Sequence, residues 1–236
     1  MQQLLEQLTR RVAKIFGERL VSLILYGSGA SDEYNGTFSD LNILCVLSRV
    51  TVSELRDSEP IFHWWRKQGN PAPLLLSQEE LRASTDCFPI EFHDMKERRK
   101  VLAGLDVIEP LEIDDSFYRA QVEYQLRAKL LRLRQKAAGV MDDKELLSRL
   151  LIESFPTFIL LFRHALYLGG FSAPSSRSAV IDEVERRFAA ESQPMLTVLA
   201  LRQKRIRPRD VDPPALLGRY IAQISRVIGC IDSLEK

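Results

Sequence analysis

The chain has 236 residues, of which 45% are hydrophobic and 28% are charged, and this composition is typical of a folded globular protein and excludes a disordered one. The formal net charge of +1 excludes a strongly basic field over the whole molecule, so nucleic acid is not an expected partner. The three cysteines, Cys45, Cys87 and Cys230, are widely scattered, which argues against a disulfide framework and against a zinc site.

No segment of the sequence has the pattern of a signal peptide or a membrane span. The first twenty residues are amphipathic with a helical period and contain no apolar signal core. The most apolar stretch, residues 155–171, contains Pro156, Arg163 and His164, which fits a buried helix better than a membrane-spanning one. We therefore expect a cytoplasmic protein that has no membrane partner.

The first part of the chain alternates between helical and strand-like patterns. Apolar residues three and four apart predict a helix over residues 4–16 and another over residues 51–68. Residues 20–26 are a short apolar run that ends in glycine, and this predicts a buried strand. The other predicted strands are 40–47, 74–76, 88–93 and 99–102.

From about residue 116 onward the sequence changes to long helical patterns separated by glycine and proline. The predicted helices are 116–138, 143–169, 177–191, 194–205 and 213–234. We therefore predict two domains. The first is an α/β (α+β) domain with a mixed sheet over residues 1–112, and the second is an all-α helical bundle over residues 113–236.

Two polar segments flank the loop between the first two predicted strands. Small residues in Gly27-Ser28-Gly29 allow backbone N–H groups to approach a phosphate, and the Ser28 hydroxyl adds a donor. Asp40 and Asn42 lie two residues apart at the start of a strand, so their oxygen atoms share a face. Because Mg²⁺ is commonly shared between carboxylates and phosphates, the two segments together predict a phosphate and metal site. Each segment alone is also ordinary turn chemistry.

A third oxygen ligand is expected from a neighbouring strand. Glu91 is the first candidate, because it lies between the apolar residues Ile90 and Phe92 and would face away from the core side of the predicted strand 88–93. Asp94 is the second candidate and would lie on the opposite face of that strand. An exposed structural role fits Glu91 equally well.

This arrangement resembles the signature of the nucleotidyltransferase superfamily, which includes polymerase beta-like enzymes, kanamycin nucleotidyltransferase and the minimal nucleotidyltransferases. That signature is a hydrophobic strand, Gly-Ser, a loop, Ser-Asp-x-Asp, and a third carboxylate on a later strand. The resemblance covers roughly residues 20–110. The matching residues here are Gly27 and Ser28, then Ser39, Asp40 and Asn42, and finally Glu91.

The resemblance implies a nucleotidyltransferase fold and a bound nucleoside triphosphate with Mg²⁺ or Mn²⁺. It implies that the metal ligands, which would also be catalytic, are Asp40, Asn42 and Glu91. It implies that the phosphates are bound by Gly27, Ser28, Gly29 and Ser39.

Two positions depart from the family pattern. Ser31 stands where an arginine commonly follows the Gly-Ser loop, which removes one phosphate contact. Asn42 stands where the second aspartate is expected, and a neutral amide oxygen bridges two cations poorly. The resemblance therefore supports nucleotide binding more strongly than turnover.

The predicted helix 116–138 adds further candidates. Six basic residues and one acid, Glu123, lie between residues 119 and 136. In the functional interpretation Arg127 or Lys129 neutralises the triphosphate and Glu123 acts as general base on an acceptor hydroxyl, by similarity to related antibiotic-modifying enzymes. In the alternative and favoured interpretation, Glu123 and Arg127 form an i,i+4 pair on a solvated helix face.

The sequence therefore predicts a Mg²⁺-dependent nucleotidyltransferase that transfers a nucleoside monophosphate to a small molecule or to a protein. Asp40 is the metal ligand expected first. The alternative is a non-catalytic nucleotide-binding or regulatory protein of the same fold, and Asn42 is the residue that favours it.

Overall fold

A computed structural model of the chain describes residues 1–30 and 41–234. The chain divides into two units, Met1–Tyr118 and Arg119–Lys236. Ser39 and Asp40, which the sequence places at the phosphate and metal site, lie outside the described residues, as does Ser31. Asn42 and the Gly27-Ser28-Gly29 segment are described.

A mixed sheet organises the first unit. Its strands in the described part of the chain are β1 (Leu20–Tyr26), β2 (Asn42–Leu47), β3 (Leu74–Ser77) and β4 (Arg99–Gly104). They lie in the order β3-β2-β1-β4, with β1 antiparallel to both β2 and β4, and with β2 parallel to β3. The sheet confirms the predicted mixed α/β class of the first part of the chain.

Helices cover both faces of this sheet. On one face, α1 (Gln2–Phe16) and α2 (Val52–Lys67) pack their apolar sides on residues such as Leu25 and Ile43. On the other face, the strand residues Ile24, Leu44 and Val46 contact a cluster that includes residues of α3 (Gln78–Ala83) and α4 (Pro89–Glu97). The alternation of side chains along each strand thus places odd-numbered and even-numbered residues of β2 in different cores.

The predicted strand 88–93 is wrong, because this segment forms helix α4. Pro89 occupies the first turn of the helix, where its missing N–H and fixed φ are favourable, whereas a strand would lose a ladder hydrogen bond at this position. The buried residues Phe92 and Met95 lie three apart, so they share one helix face and pack on the sheet. Glu91 is therefore carried by a helix and not by a strand.

The second unit is entirely helical in the part that the structure describes, as predicted. Its helices are α5 (Tyr118–Ala138), α6 (Lys144–Leu168), α7 (Arg177–Phe188), α8 (Gln193–Arg202) and α9 (Pro213–Asp232). The apolar helix α6 contacts α7, α8 and α9 and forms the centre of this unit. No helix among the described residues is long and apolar enough to cross a membrane.

Candidate functional site

A glycine turn ends strand β1. Gly27 has φ +70°, a conformation that glycine adopts without strain, and residues Gly27–Ala30 form a single 3₁₀ turn. The Gly27 N–H donates a hydrogen bond of 3.0 Å to the backbone oxygen of Arg98, directly after α4. This bond holds the turn against the end of α4.

The structure brings Asn42 to this turn. Asn42 on β2 lies opposite Tyr26 on β1, and Gly27 is the next residue after Tyr26. Asn42 is therefore close to Gly27. A Cβ atom placed on Gly27 would be 3.5 Å from Asn42 Nδ2 and 3.4 Å from Asp94 Oδ2. Two polar side chains from distant parts of the sequence therefore meet at the glycine.

Asp94 is the carboxylate that lies beside Gly27. It lies in the last turn of α4 with 12% of its side chain exposed, and one of its oxygens pairs with Arg98. Glu91 is exposed and lies one helical turn earlier. Burial raises the pKa of the Tyr26 phenol, and the negative charges of Glu91 and Asp94 raise it further, so both carboxylates act on the end of β1.

The described residues beside the turn offer few ligands for a divalent cation. No strand residue in the described part of the chain is Asp or Glu, and no group of three His, Cys, Asp or Glu side chains there is placed to hold a metal ion. Asp94 presents a carboxylate oxygen beside the turn, whereas Asn42 presents its amide nitrogen Nδ2 there and would ligate a cation through its other amide atom, Oδ1. This donor set fits a single cation whose other ligands are phosphate oxygens, and it does not by itself fit a two-metal centre.

In the second unit, Glu123 of α5 lies between two arginines. Its carboxylate accepts hydrogen bonds from Arg127 Nε at 2.8 Å and from Arg119 Nη1 at 3.0 Å. The bond from Arg127, assisted by Arg119, lowers the pKa of Glu123. A carboxylate held this way is a weaker base than an ordinary glutamate, which bears against the general-base interpretation. The roles of Glu123 and Arg127 in catalysis stay predictions.

Lys129 lies on a different side of α5 from this ion-pair group. It lines a cavity of about 150 Å³ between α5 and α6, together with Arg132 and Lys136 of α5 and Phe158 of α6. The predicted contact of Lys129 with a triphosphate also stays a prediction.

Arg98 is a residue of this region that no sequence motif singles out. Its backbone is hydrogen-bonded to Gly27 and its side chain is paired with Asp94. The spacing of Asp94 and Arg98, four residues apart at the end of a helix, is a recognisable signal for such a pair. That signal could be used only once the segment was assigned as a helix.

Comparison with known proteins shows what fold this is. No protein-family model matches the chain, and no curated protein matches its sequence. Among solved structures, the chain matches spectinomycin adenyltransferase AAD(9) from Enterococcus faecialis, determined with ATP and spectinomycin. The match has a TM-score of 0.59 and 15% sequence identity, and covers 95% of this chain and 98% of that chain. The nucleotidyltransferase fold predicted from the sequence is therefore confirmed.

Proposed function

We propose that the protein is a nucleotidyltransferase that transfers a nucleoside monophosphate from a Mg²⁺-bound nucleoside triphosphate to an acceptor. The observation that carries this proposal is the meeting of Asn42 and Asp94 at the Gly27 turn, on the fold of an adenyltransferase. Because the similar structure contains ATP and an antibiotic, a small molecule is the acceptor class we favour, with a protein side chain as the second.

The glycine turn would hold the phosphates. The N–H of Gly27 is already bonded to Arg98, so the donors for a phosphate would come from the residues that follow, Ser28 and Gly29. Gly27 itself keeps the space beside Asn42 and Asp94 open, since it has no side chain. Ser39 remains a candidate phosphate ligand from the sequence.

The metal would be held by Asp40 and Asn42 together with a carboxylate of α4. Asp94 is the carboxylate we favour, because it lies beside Gly27, and Glu91, one helical turn away, is the alternative. When bound, Mg²⁺ supplies positive charge that offsets the triphosphate and the charge that develops on it during transfer.

The transfer step forms one bond and breaks one bond at the α-phosphorus. An oxygen of the acceptor hydroxyl attacks the α-phosphorus, and the bond from that phosphorus to the bridging oxygen breaks as pyrophosphate leaves with its electron pair. The proton of the hydroxyl passes to a base or to water. The protein contributes mainly by positioning the groups and by neutralising charge.

A second candidate function is a non-catalytic nucleotide-binding or regulatory protein. Two observations favour it: Asn42 replaces the second aspartate, and no described strand residue is acidic. Such a protein would bind the triphosphate with one cation and would release no pyrophosphate.

The two functions can be separated by measuring binding and turnover independently. Thermal-shift scans with each nucleoside triphosphate, with and without Mg²⁺, report binding, and pyrophosphate release with candidate acceptors reports turnover. We expect ATP with Mg²⁺ to stabilise the wild type and Asp40→Ala to abolish that effect. Stabilisation that persists in Asp40→Ala would refute the metal assignment.

The variant Asn42→Asp tests the enzyme against the regulatory protein. It restores the charge that the family pattern expects, so it raises the rate of pyrophosphate release if the wild type is a weakened enzyme. Nucleotide binding without pyrophosphate release in either the wild type or Asn42→Asp would favour the regulatory protein.

A further inference from the structure

The backbone of Arg98 is fixed to the glycine turn. Arg98 directly follows α4, and its carbonyl oxygen accepts the 3.0 Å hydrogen bond from the Gly27 N–H. Its own N–H donates to the carbonyl oxygen of Asp94 at 2.9 Å, which closes the helix. The position of Arg98 relative to the turn is therefore set by two backbone hydrogen bonds.

Asp94 links the side chain of Arg98 to the glycine turn. Arg98 Nη2 pairs with Asp94 Oδ1, while Asp94 Oδ2 is the atom that faces Gly27. The two side chains are 19% and 12% exposed, so they are largely shielded from bulk water. The guanidinium and the glycine turn thus have one carboxylate, Asp94, as a common neighbour.

The guanidinium of Arg98 has donor capacity that the described residues do not use. Its Nε is buried and has no hydrogen-bond partner among the described residues. A buried N–H without a hydrogen-bond partner destabilises the folded protein. A guanidinium presents several donors in a planar fork that matches the oxygens of a phosphate. A phosphate at the glycine turn would meet this need.

Among the described residues, the neighbours of the turn in sequence and in the sheet include one other arginine, Arg99. Residues 26–30 contain no basic residue, and Ser31 stands where the family has an arginine. Arg99, the ladder partner of Tyr26, donates hydrogen bonds from all three of its side-chain nitrogens, whereas Arg98 Nε has no partner among the described residues. Because a nucleoside triphosphate carries several negative charges, a cationic side chain near the turn would add to the positive charge that Mg²⁺ supplies.

The geometry points to Arg98 as a phosphate-contacting residue of the nucleotide site, with Asp94 as the residue that positions it. This inference rests on the proposed function, since it assigns the anion contact of the same site. Arg98 takes the place of the arginine that the Gly-Ser loop lacks, and reaches the turn from α4 instead of from the loop.

The test compares the affinities of the full-length wild type and of Arg98→Gln for ATP and for AMP, measured by calorimetry with Mg²⁺. Removing a charge-assisted contact to the triphosphate weakens ATP binding by about tenfold or more, and AMP, which lacks the β- and γ-phosphates, reports whether the contact is to the α-phosphate. The matched control is Lys100→Gln. Lys100 is exposed and lies two residues after Arg98, so this variant removes the same charge at a solvated position. We expect Lys100→Gln to bind ATP within about threefold of the wild type.

Each outcome of this test decides the question. Equal ATP affinity in Arg98→Gln and the wild type overturns the role of Arg98 and leaves the proposed function standing. Equal losses in Arg98→Gln and Lys100→Gln overturn it too, because they indicate only a change of overall charge. A wild type that binds no nucleoside triphosphate overturns the proposed function together with the inference. If circular dichroism shows that Arg98→Gln is unfolded, Arg98→Met, which keeps an unbranched side chain, is judged by the same criterion.

Discussion

At the scale of single residues, Gly27 combines a backbone requirement with a position beside two polar side chains. In Gly27→Ala, the left-handed φ of +70° costs about 1–2 kcal/mol of unfolding free energy. The added methyl also lies in contact with Asp94 and Asn42. We therefore expect a stable but weakened protein whose thermal shift with ATP and Mg²⁺ is reduced.

Gly69→Ala is the matched control for this prediction. Gly69 has φ +85° and no atom within 4 Å of an added Cβ, so it carries the backbone cost without the site contact. It should lose a similar amount of stability in urea unfolding and keep the full thermal shift with ATP. Equal losses of the ATP response in both variants would show that Gly27 matters only for the backbone.

Glu54 is a buried carboxylate with a structural role. Its side chain is 1% exposed and accepts hydrogen bonds from the Thr51 hydroxyl and from Arg19. The bond from Thr51, with that from Arg19, lowers the pKa of Glu54 to about 2. Because the folded pKa lies below the unfolded one, ionised Glu54 stabilises the fold above about pH 4.5, and this contribution is lost as the pH falls toward about 2.

This pH dependence predicts how Glu54→Gln behaves. The difference in unfolding free energy between the wild type and Glu54→Gln should be largest near pH 7 and should shrink steadily below about pH 4.5. Urea unfolding at a series of pH values measures it. Glu59→Gln, which removes an exposed carboxylate from the same helix, should change stability little near pH 7. If the difference in unfolding free energy between the wild type and Glu54→Gln grows as the pH falls, the predicted pH dependence is wrong.

At the scale of elements, the sequence predicts those segments whose apolar period is long or whose ends are marked. The five helices of the second unit and strand β1 belong to this group. Residues 78–83 form a six-residue helix that is too short to show a period, although Ser77 and Glu80 form a capping box that marks its start. The segment 88–93 alternates apolar and polar residues like a strand, yet it is helical.

That error also explains which part of the site was predicted. Gly27 and Asn42 lie at the ends of correctly predicted strands, and the structure brings them together. In a strand, Glu91 and Asp94 lie on opposite faces, whereas in a helix they lie on one side. The contact between Asp94 and Gly27 depends on how α4 packs on the sheet, and no local pattern in the sequence specifies that packing.

Phe92 anchors α4 to the sheet and hence holds Asp94 and Arg98 in place. It is 1% exposed within the core cluster on this face. Phe92→Ala should cost about 3–5 kcal/mol of unfolding free energy in urea and should also weaken the response to ATP. Phe88→Ala makes the same change at a residue that is 48% exposed, and it should cost less than about 1 kcal/mol. Similar losses in the two variants would contradict the packing of α4 described above.

At the scale of the whole molecule, the chain consists of two units that have different architectures and their own buried residues. In the second unit, α5 is tied to α9 by the ion pair of Arg127 with Asp232 and by the hydrogen bond from Arg119 to the backbone of Ile231. The α5 residue Leu133 also lines a cavity with Phe158 of α6. These contacts indicate that α5 belongs to the fold of the second unit.

The domain boundary predicted from the sequence can be tested by expressing residues 113–236 alone. Since this fragment retains α5 and its contacts with α6 and α9, it should be helical by circular dichroism and should unfold in one cooperative thermal transition. The control fragment, residues 144–236, lacks α5 and exposes the surface that α5 covers, so it should unfold at a lower temperature or without cooperativity. If residues 113–236 show no cooperative transition, the second unit does not fold independently and the predicted boundary is wrong.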